Sequence, residues 1–500
     1  MRYLIGIDIG TSSCKTALFD SSGGLVAQAS REYPVYHPHS GWAEQNPDEW
    51  WACVCEALRA TISDAKVPSE SIAGVGVDGQ SWSAIAIDRE GSVLSNTPIW
   101  MDSRADDICR ELEEAIGSDE IFRLCGNPMK PSYTTPKILW YKRELPEVFT
   151  RTYKILQSNS FIVYRLTGCV SQDLSQGYGL HCFDMANGRF DVEMCRRMGI
   201  STDLLPPLFR CHDVVGKVSS EAAALTGLPE GVPVVAGGLD AACGALGAGV
   251  LEPGQTQEQG GQAGGMSICV DRPLADRRLI LSFHVVPGCW LLQGGTVGGG
   301  GIMRWIEREL GEAERLHYSG KSSFAMLDEE AARIPPGSDG LVFLPYMSGE
   351  RSPIWDKDAS GVFFGLDYSK TKAHMVRAAL EGAAYALRHN LETAEEAGAR
   401  ADILNAVGGA AKSSLWTQMK ADVTGRIINV PDADTATAWG AAILAGVGTH
   451  VFESFAEAVD KTVRIKRTYR PDSATAAAYD KGYGIYKRLY PALCELMHSK

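Results

Sequence analysis

Short apolar runs that end in glycine or aspartate alternate along this chain with stretches of helical period, which is the alternation of an α/β protein. In IGIDIGTSSCKTALFD, Ile5 to Asp20, an apolar run meets two glycines and a hydroxyl-rich cluster before β-type residues resume. The pattern predicts strand, tight turn, strand, with the polar groups at the bend. SIAGVGVDG predicts a buried strand ending in an acid and a glycine. SAIAIDREGSVLSNTPIW predicts a second hairpin, turning at Arg89-Glu90-Gly91. QNPDEWWACVCEALRATISDA predicts a helix with Asn46 as N-cap, Pro47 at the first helical position and Glu49 completing a capping box.

The opening pattern has a loose echo. TGLPEGVPVVAGGLDAACGALGAG restarts with an apolar strand, two glycines and an aspartate. The echo predicts two domains of related architecture, 1–230 and 231–500. Glycine-rich turns crowd the second half, in EQGGQAGGMSICVD, in LLQGGTVGGGGIMRWIEREL and in ILNAVGGAAKSSLWTQMKADVTG, whose helix is expected from about Lys412. A single tract of this kind is explained by a flexible loop or a close helix–strand contact. Several of them, each leaving an apolar strand, are what a cleft needs if backbone N–H groups hold a nucleotide from two sides.

Composition narrows the partners. The chain has 500 residues, 45% hydrophobic and 22% charged, which is ordinary for a globular protein. No apolar run reaches the length that spans a bilayer, so no membrane partner is expected. The N-terminal residues lack a basic stretch followed by an apolar signal region, and a cytoplasmic location is expected. Thirteen cysteines without a CxxC pair read as reduced thiols. A net charge of −13 with no basic block excludes nucleic acid as a partner. An acidic protein that binds a polyanion needs local help from a lysine, backbone N–H groups or Mg²⁺. The usual P-loop order of glycines and Gly-Lys-Ser/Thr is absent.

These motifs together resemble the FGGY family of carbohydrate kinases, xylulokinases above all, within the actin–hexokinase–heat-shock-chaperone ATPase superfamily. GIDIGTSSCKTALFD resembles the family's first phosphate motif. SYTTPKILWYKRE (Ser132–Glu144) resembles one family signature, with Tyr141 where a simpler apolar residue is usual, and GVFFGLDYSKTKAHMVRAALE (Gly361–Glu381) fits the second. GWAEQNPDEWW, PIWMDSR and AGGLDAACGALGAG are also similar to family segments. The resemblance implies two ribonuclease-H-like domains around a central cleft, with ATP and a sugar or polyol meeting at its base. It implies Asp240 as catalytic base, and Asp8 as carrier of Mg²⁺ through its water shell. Gly10, Thr11, Ser12 and Lys15 would contact phosphates, and Gly261, Gln262 and Gly264 would form the second phosphate turn. Gly300, Arg304, Gly408, Gly409 and Ala410 would line the nucleotide pocket. Gln80, Ser81, Trp82, Asp102 and Arg104, with Asp240, would meet the sugar. A homodimer is the expected assembly.

Two positions depart from the pattern. Ser81-Trp82 stands where xylulokinases usually have Met-His, which leaves ribulose, gluconate, glycerol and erythritol beside xylulose as candidate substrates. Gln262-Ala263 stands where the second phosphate motif has Thr-Ser, so both hydroxyls are lost. The second departure keeps a non-kinase reading open, a sugar-sensing or ATP-driven conformational protein on the same fold. Cys53 and Cys55 point to different helix faces, and His37 and His39 bracket a proline in a loop. Neither pair is expected to bind metal.

Overall fold

The computed structural model describes residues 2–316, 320–432 and 435–499. Two seven-stranded sheets organise them. The first contains β1 (Tyr3–Ile9), β2 (Ser13–Asp20), β3 (Leu25–Glu32), β4 (Ile72–Gly79), β5 (Val214–Lys217), β6 (Pro233–Val235) and β7 (Gly238–Leu239). The second contains β8 (Gln255–Gly260), β9 (Gly264–Val270), β10 (Ile280–Phe283), β11 (Trp290–Thr296), β12 (Ile403–Val407), β13 (Ile427–Pro431) and β14 (Ile465–Tyr469). The run β3-β2-β1-β4-β6-β5 matches β11-β9-β8-β12-β13-β14 in strand direction throughout, although the edge strand β5 precedes its neighbour in the chain and the edge strand β14 follows its own. The architecture is doubled, as the resemblance implies.

The repeat begins at β8, later than the sequence echo places it. Val234 pairs with Val75, and Gly238 pairs with Asp78, so β6 and β7 complete the first sheet. The change of sheet lies between Leu239 and Gln255, and a boundary at 230 cuts the first sheet. The echo misleads because β6 and β7, like β1, lead an apolar strand into a small-residue turn at the same edge of the cleft.

The helices that bear on the site are α1 (Pro47–Ala65), α2 (Thr134–Glu144), α3 (Asp240–Gly247), α4 (Gly300–Leu310), α5 (Ser323–Ala331), α6 (Lys372–Glu396), α7 (Ser414–Thr424) and α8 (Ala436–Gly448). Period-2 alternation sorts β1 and β4 into two faces. Ile5, Ile7, Ile9, Val75 and Val77 pack with Trp50, Val54 and Leu58 of α1 in one core. Gly6 and Gly76 point the other way, onto α8. A Cβ on Gly6 would lie 1.8 Å from the Ala438 carbonyl oxygen, and one on Gly76 would lie 1.9 Å from that of Ala441. A helix of the C-terminal segment thus rests on bare backbone of the first sheet.

Local details differ from expectation in instructive ways. Asn46 caps α1 through the Asp48 N–H, but Glu49 takes the Tyr36 hydroxyl instead of closing a capping box. The turn at Arg89–Gly91 forms, yet Ile85–Ile87 pairs with Lys154–Leu156 and keeps only one bridge, Ile87 to Val93, to its own return strand. The expected helix near Lys412 begins at Ser414, after a short 3₁₀ turn over Gly409–Lys412. All thirteen cysteines are free thiols, and His37 and His39 are exposed. Among the described residues, no helix is long and apolar enough to cross a membrane.

Candidate active site

The first sheet delivers three carboxyl groups to the cleft. Asp8 stands in register with Lys15 on β2 and with Asp78 on β4, and Asp78 in turn faces Gly238 of β7. Two residues past Gly238, Asp240 opens α3, its Oδ1 accepting the Ala241 N–H at 2.6 Å. Burial pushes the Asp8 carboxyl up, with Asp78 and Lys15 opposing. Asp78 is raised well above the usual carboxylate range, chiefly by burial and next by the charges of Asp8 and Asp240. It is fully buried, and among the described residues no N–H or O–H donor is bonded to its oxygens, which face the Asp8 carboxyl. Asp240 is pushed up to about 7, first by burial and then by Asp8. Carboxyls that raise one another resist ionising together without a cation. Asp8, beside Asp78 and within electrostatic reach of Asp240, is an oxygen donor of the kind that a hard divalent ion such as Mg²⁺ takes.

The first phosphate turn is held from behind. The Gly10 N–H donates to the Ser13 carbonyl, and the Gly10 carbonyl accepts the Tyr33 hydroxyl at 2.6 Å. Gln80 donates to Gln45, which donates to the Thr11 carbonyl. Ser12 is exposed at the tip. Trp100 reaches in and donates its indole N–H to Thr11 Oγ1 at 2.9 Å.

The second turn links β8 to β9. The Gly261 N–H bonds the Ala263 carbonyl, and Gly300 and Gly301 at the start of α4 donate to the carbonyls of Gly261 and Gln262. Arg304 bonds the Gln262 side-chain oxygen, and Gly264 begins β9. Gly408 meets this turn from β12 at a φ of 88°, and an added Cβ would stand 2.8 Å from the Gly260 carbonyl oxygen. Only glycine fits there. Gly261, Gln262, Gly300, Arg304, Gly409 and Ala410 line one open pocket of about 510 Å³, enough for a nucleoside. Its far wall was not legible in the sequence: Ser322, Phe324 and Asp328 at α5, with Phe324 41% exposed. No glycine motif marks that helix.

The sugar side is more aromatic than expected. Trp82 adopts a left-handed φ of 62° and stacks on Tyr133, with ring centroids 4.1 Å apart. Its indole N–H is buried and has no partner among the described residues, and the same holds for Gln80 Oε1. Tyr178 donates its hydroxyl to Ser81 Oγ at 2.6 Å and lies near enough to Asp240 to feel its charge. A donor and an acceptor beside two ring faces suit a polyol, whose C–H patches alternate with hydroxyls.

Asp102 and Arg104 are committed to one another. Arg104 bonds both oxygens of Asp102 and also Glu44, and its guanidinium lies between Trp42 and Trp140, 3.8 and 4.9 Å from the ring centres. Asp102 takes the Ala43 N–H as well. With their side chains 0% and 3% exposed, they turn to one another, and only Arg104 Nη1 is without a bond among the described residues. Together they brace the pocket from behind. The signature lysine Lys137 is a second brace that sequence reasoning missed. Its ammonium donates to the carbonyls of Trp82, Ile99 and Ser132, with no carboxylate partner among the described residues, and burial pulls it down to about 7. Tyr141, the unusual residue of the same signature, donates to the Ala84 carbonyl. Lys137→Met should leave the Trp82 and Ser132 carbonyls without this donor, at about 1–3 kcal/mol each if water cannot reach them, while the Ile99 carbonyl keeps the Asp102 N–H. Thermal melting should show a lower midpoint, and an unchanged midpoint would deny Lys137 this role.

Comparison with known proteins gives the same picture. Residues 3–247 match the N-terminal domain of the FGGY family of carbohydrate kinases, and residues 273–449 match its C-terminal domain. The xylulose kinase of Bacillus subtilis (strain 168) is 32% identical, over 98% of this chain and 97% of that one. The gluconokinase of Bacillus licheniformis is 30% identical, over 98% and 96%. The crystal structure of xylulose kinase from Rhodospirillum rubrum superposes with a TM-score of 0.89 at 32% identity, over 99% of this chain and 100% of that one. By sequence and by fold, the chain belongs to the FGGY family of carbohydrate kinases.

Proposed function

We propose that this kinase transfers the γ-phosphoryl group of ATP, bound with Mg²⁺, to a hydroxyl of a ketose or polyol, with D-xylulose to D-xylulose 5-phosphate the first candidate. The observation that carries the reading is the position of Asp240. It lies at the end of the first sheet, beside Asp8 and within reach of the Tyr178–Ser81 pair. Such an oriented carboxylate accepts the hydroxyl proton late in a loose phosphoryl transfer, so it need not ionise an alcohol outright. Asp8, with Asp78 and Asp240 close by, would hold Mg²⁺. When bound, the cation spreads the charge of the β- and γ-phosphate oxygens. The backbone N–H groups of the two turns orient the phosphates, and Gln80 and Trp82 orient the acceptor. The full-length similarity to xylulose kinases supports xylulose. Gluconate is the second reading, favoured by the gluconokinase relative and by Ser81-Trp82. ADP release measured over ketoses, polyols and gluconate tests both, and release with none of them would overturn the proposal.

The two phosphate turns belong to different sheets, so the domains should close when both ligands bind and thereby keep water from the phosphoryl group. Small-angle scattering should then show a smaller radius of gyration with sugar and a non-hydrolysable ATP analogue. An unchanged radius would mean that the cleft does not close.

A further inference from the structure

Glu350 and Arg351 are neighbours of opposite charge that do not pair. The Glu350 carboxylate turns inward and accepts the Thr296 hydroxyl at 2.7 Å, the Val297 N–H at 2.9 Å and the backbone N–H of Arg351 at 2.6 Å. The Arg351 side chain runs the other way, across Gly295, where a Cβ would lie 3.5 Å from its Nη1. Its guanidinium rests on Trp100 of the first domain, 4.9 Å from the ring centre, and Trp100 is the residue that bonds Thr11 in the first phosphate turn. Arg351 also lines one cavity with Gln262 and Ala263 of the second turn. Among the described residues, no acceptor or carboxylate is bonded to the guanidinium. Burial pulls it below the ordinary guanidinium range, with Glu350 only partly opposing.

A half-buried cation with unfilled donors therefore lies between the two phosphate turns. The second turn has lost the two hydroxyls expected of it. Gln262 and Ala263 stand in their place, and of these only the Gln262 amide N–H₂ can donate, its oxygen being held by Arg304. A planar guanidinium matches phosphoryl oxygens in two-pronged fashion, and such a cation is most valuable where charge develops during transfer.

We infer that Arg351 is a catalytic residue that hydrogen-bonds the phosphoryl group in transit, supplying donors where the Gln262-Ala263 turn has lost two hydroxyls. The bond between the γ-phosphorus and the β–γ bridging oxygen breaks and leaves ADP, while a bond to the acceptor oxygen forms. The acceptor's proton goes to Asp240, and Arg351 gives up none. The inference rests on the kinase reading above.

Arg351→Ala should lower kcat by about 10²- to 10³-fold while calorimetric ADP affinity stays at the wild-type value. Millimolar guanidinium should restore part of the lost turnover. The variant should also fail to trap ADP with aluminium fluoride in the presence of acceptor. Turnover within about threefold of wild type, or a raised acceptor KM with kcat intact, overturns the inference. If Arg351→Ala melts early, Arg351→Lys keeps the charge but not the fork. It should still lose about tenfold or more, and full activity in that variant is equally fatal. Wild type and Asp240→Asn are run alongside. A wild type that phosphorylates no acceptor sinks the kinase reading itself, whereas an active wild type with an unimpaired Arg351→Ala sinks only the role of Arg351.

Discussion

Replacing Asp240 with asparagine should lower turnover by about 10²- to 10⁴-fold, the usual range for a lost general base, and leave ADP binding unchanged. The amide keeps the shape of the side chain and its bond to the Ala241 N–H, so the start of α3 should survive. What disappears is the proton acceptor. The wild-type pH profile carries the same signature. Asp240 in the free enzyme holds a proton below about 7, so kcat/KM should climb as pH rises through that value, and the variant should lose the step. Stability moves in the opposite sense. A carboxyl raised in the folded state binds a proton that the unfolded chain has released, so its stabilising effect is complete below the unfolded value. That effect fades as pH rises through about 7. Asp240→Asn should therefore melt higher than wild type at alkaline pH and no higher at pH below the unfolded value. Turnover within tenfold of wild type would remove Asp240 from its assigned role.

The double change Ser81→Met, Trp82→His should shift the ratio of kcat/KM for xylulose over gluconate by about 10- to 200-fold, the scale on which pocket shape alone discriminates. Trp82 now offers the acceptor a buried N–H and a ring backed by Tyr133. Histidine offers a smaller ring and one nitrogen that accepts. Methionine at 81 removes the oxygen that Tyr178 uses, which frees the phenol for the substrate. The backbone should tolerate the exchange. The left-handed φ of 62° at residue 82 is unfavourable for tryptophan and better borne by histidine. Lys137 holds the carbonyl of that residue whatever its side chain is. If wild type already prefers xylulose, the ratio should fall; if it prefers gluconate, it should rise. Identical substrate rankings before and after would show that residues 81 and 82 do not face the acceptor.

Six of the residues expected at the nucleotide share one pocket, and that grouping was legible because glycines advertise backbone approach. The sugar side was less so. Side chains such as Asp102 and Arg104 look available in a sequence, and only packing shows that they neutralise each other between two tryptophans. Asp78 was missed although its signal was present. IGID and VGVD carry the same order of apolar, glycine, apolar, acid, which places two carboxyls on the same face once the strands pair in register. Arg351 had no local signal, because its setting is made by Trp100, some 250 residues earlier in the chain. The doubled sheet was foreseen and its second start misplaced, since strand pairing decides which apolar run opens the second sheet.

The helix that rests on Gly6 and Gly76 is made long after the strands it covers. On the ribosome, residues 1–247 emerge roughly 200 residues before α8, a wait of about 10–40 s at ordinary elongation rates. Through that interval the face of the first sheet that carries Gly6 and Gly76 lacks α8, and the Leu4 side chain beside the bare glycines has no partner from it. The N-terminal half should therefore complete its folding late despite being synthesised first. Nascent chains of this protein should occupy holdase chaperones until residues 436–448 clear the exit tunnel. Adding those residues back in trans, as a separate peptide or a C-terminal half, should rescue a truncated first half that is otherwise insoluble.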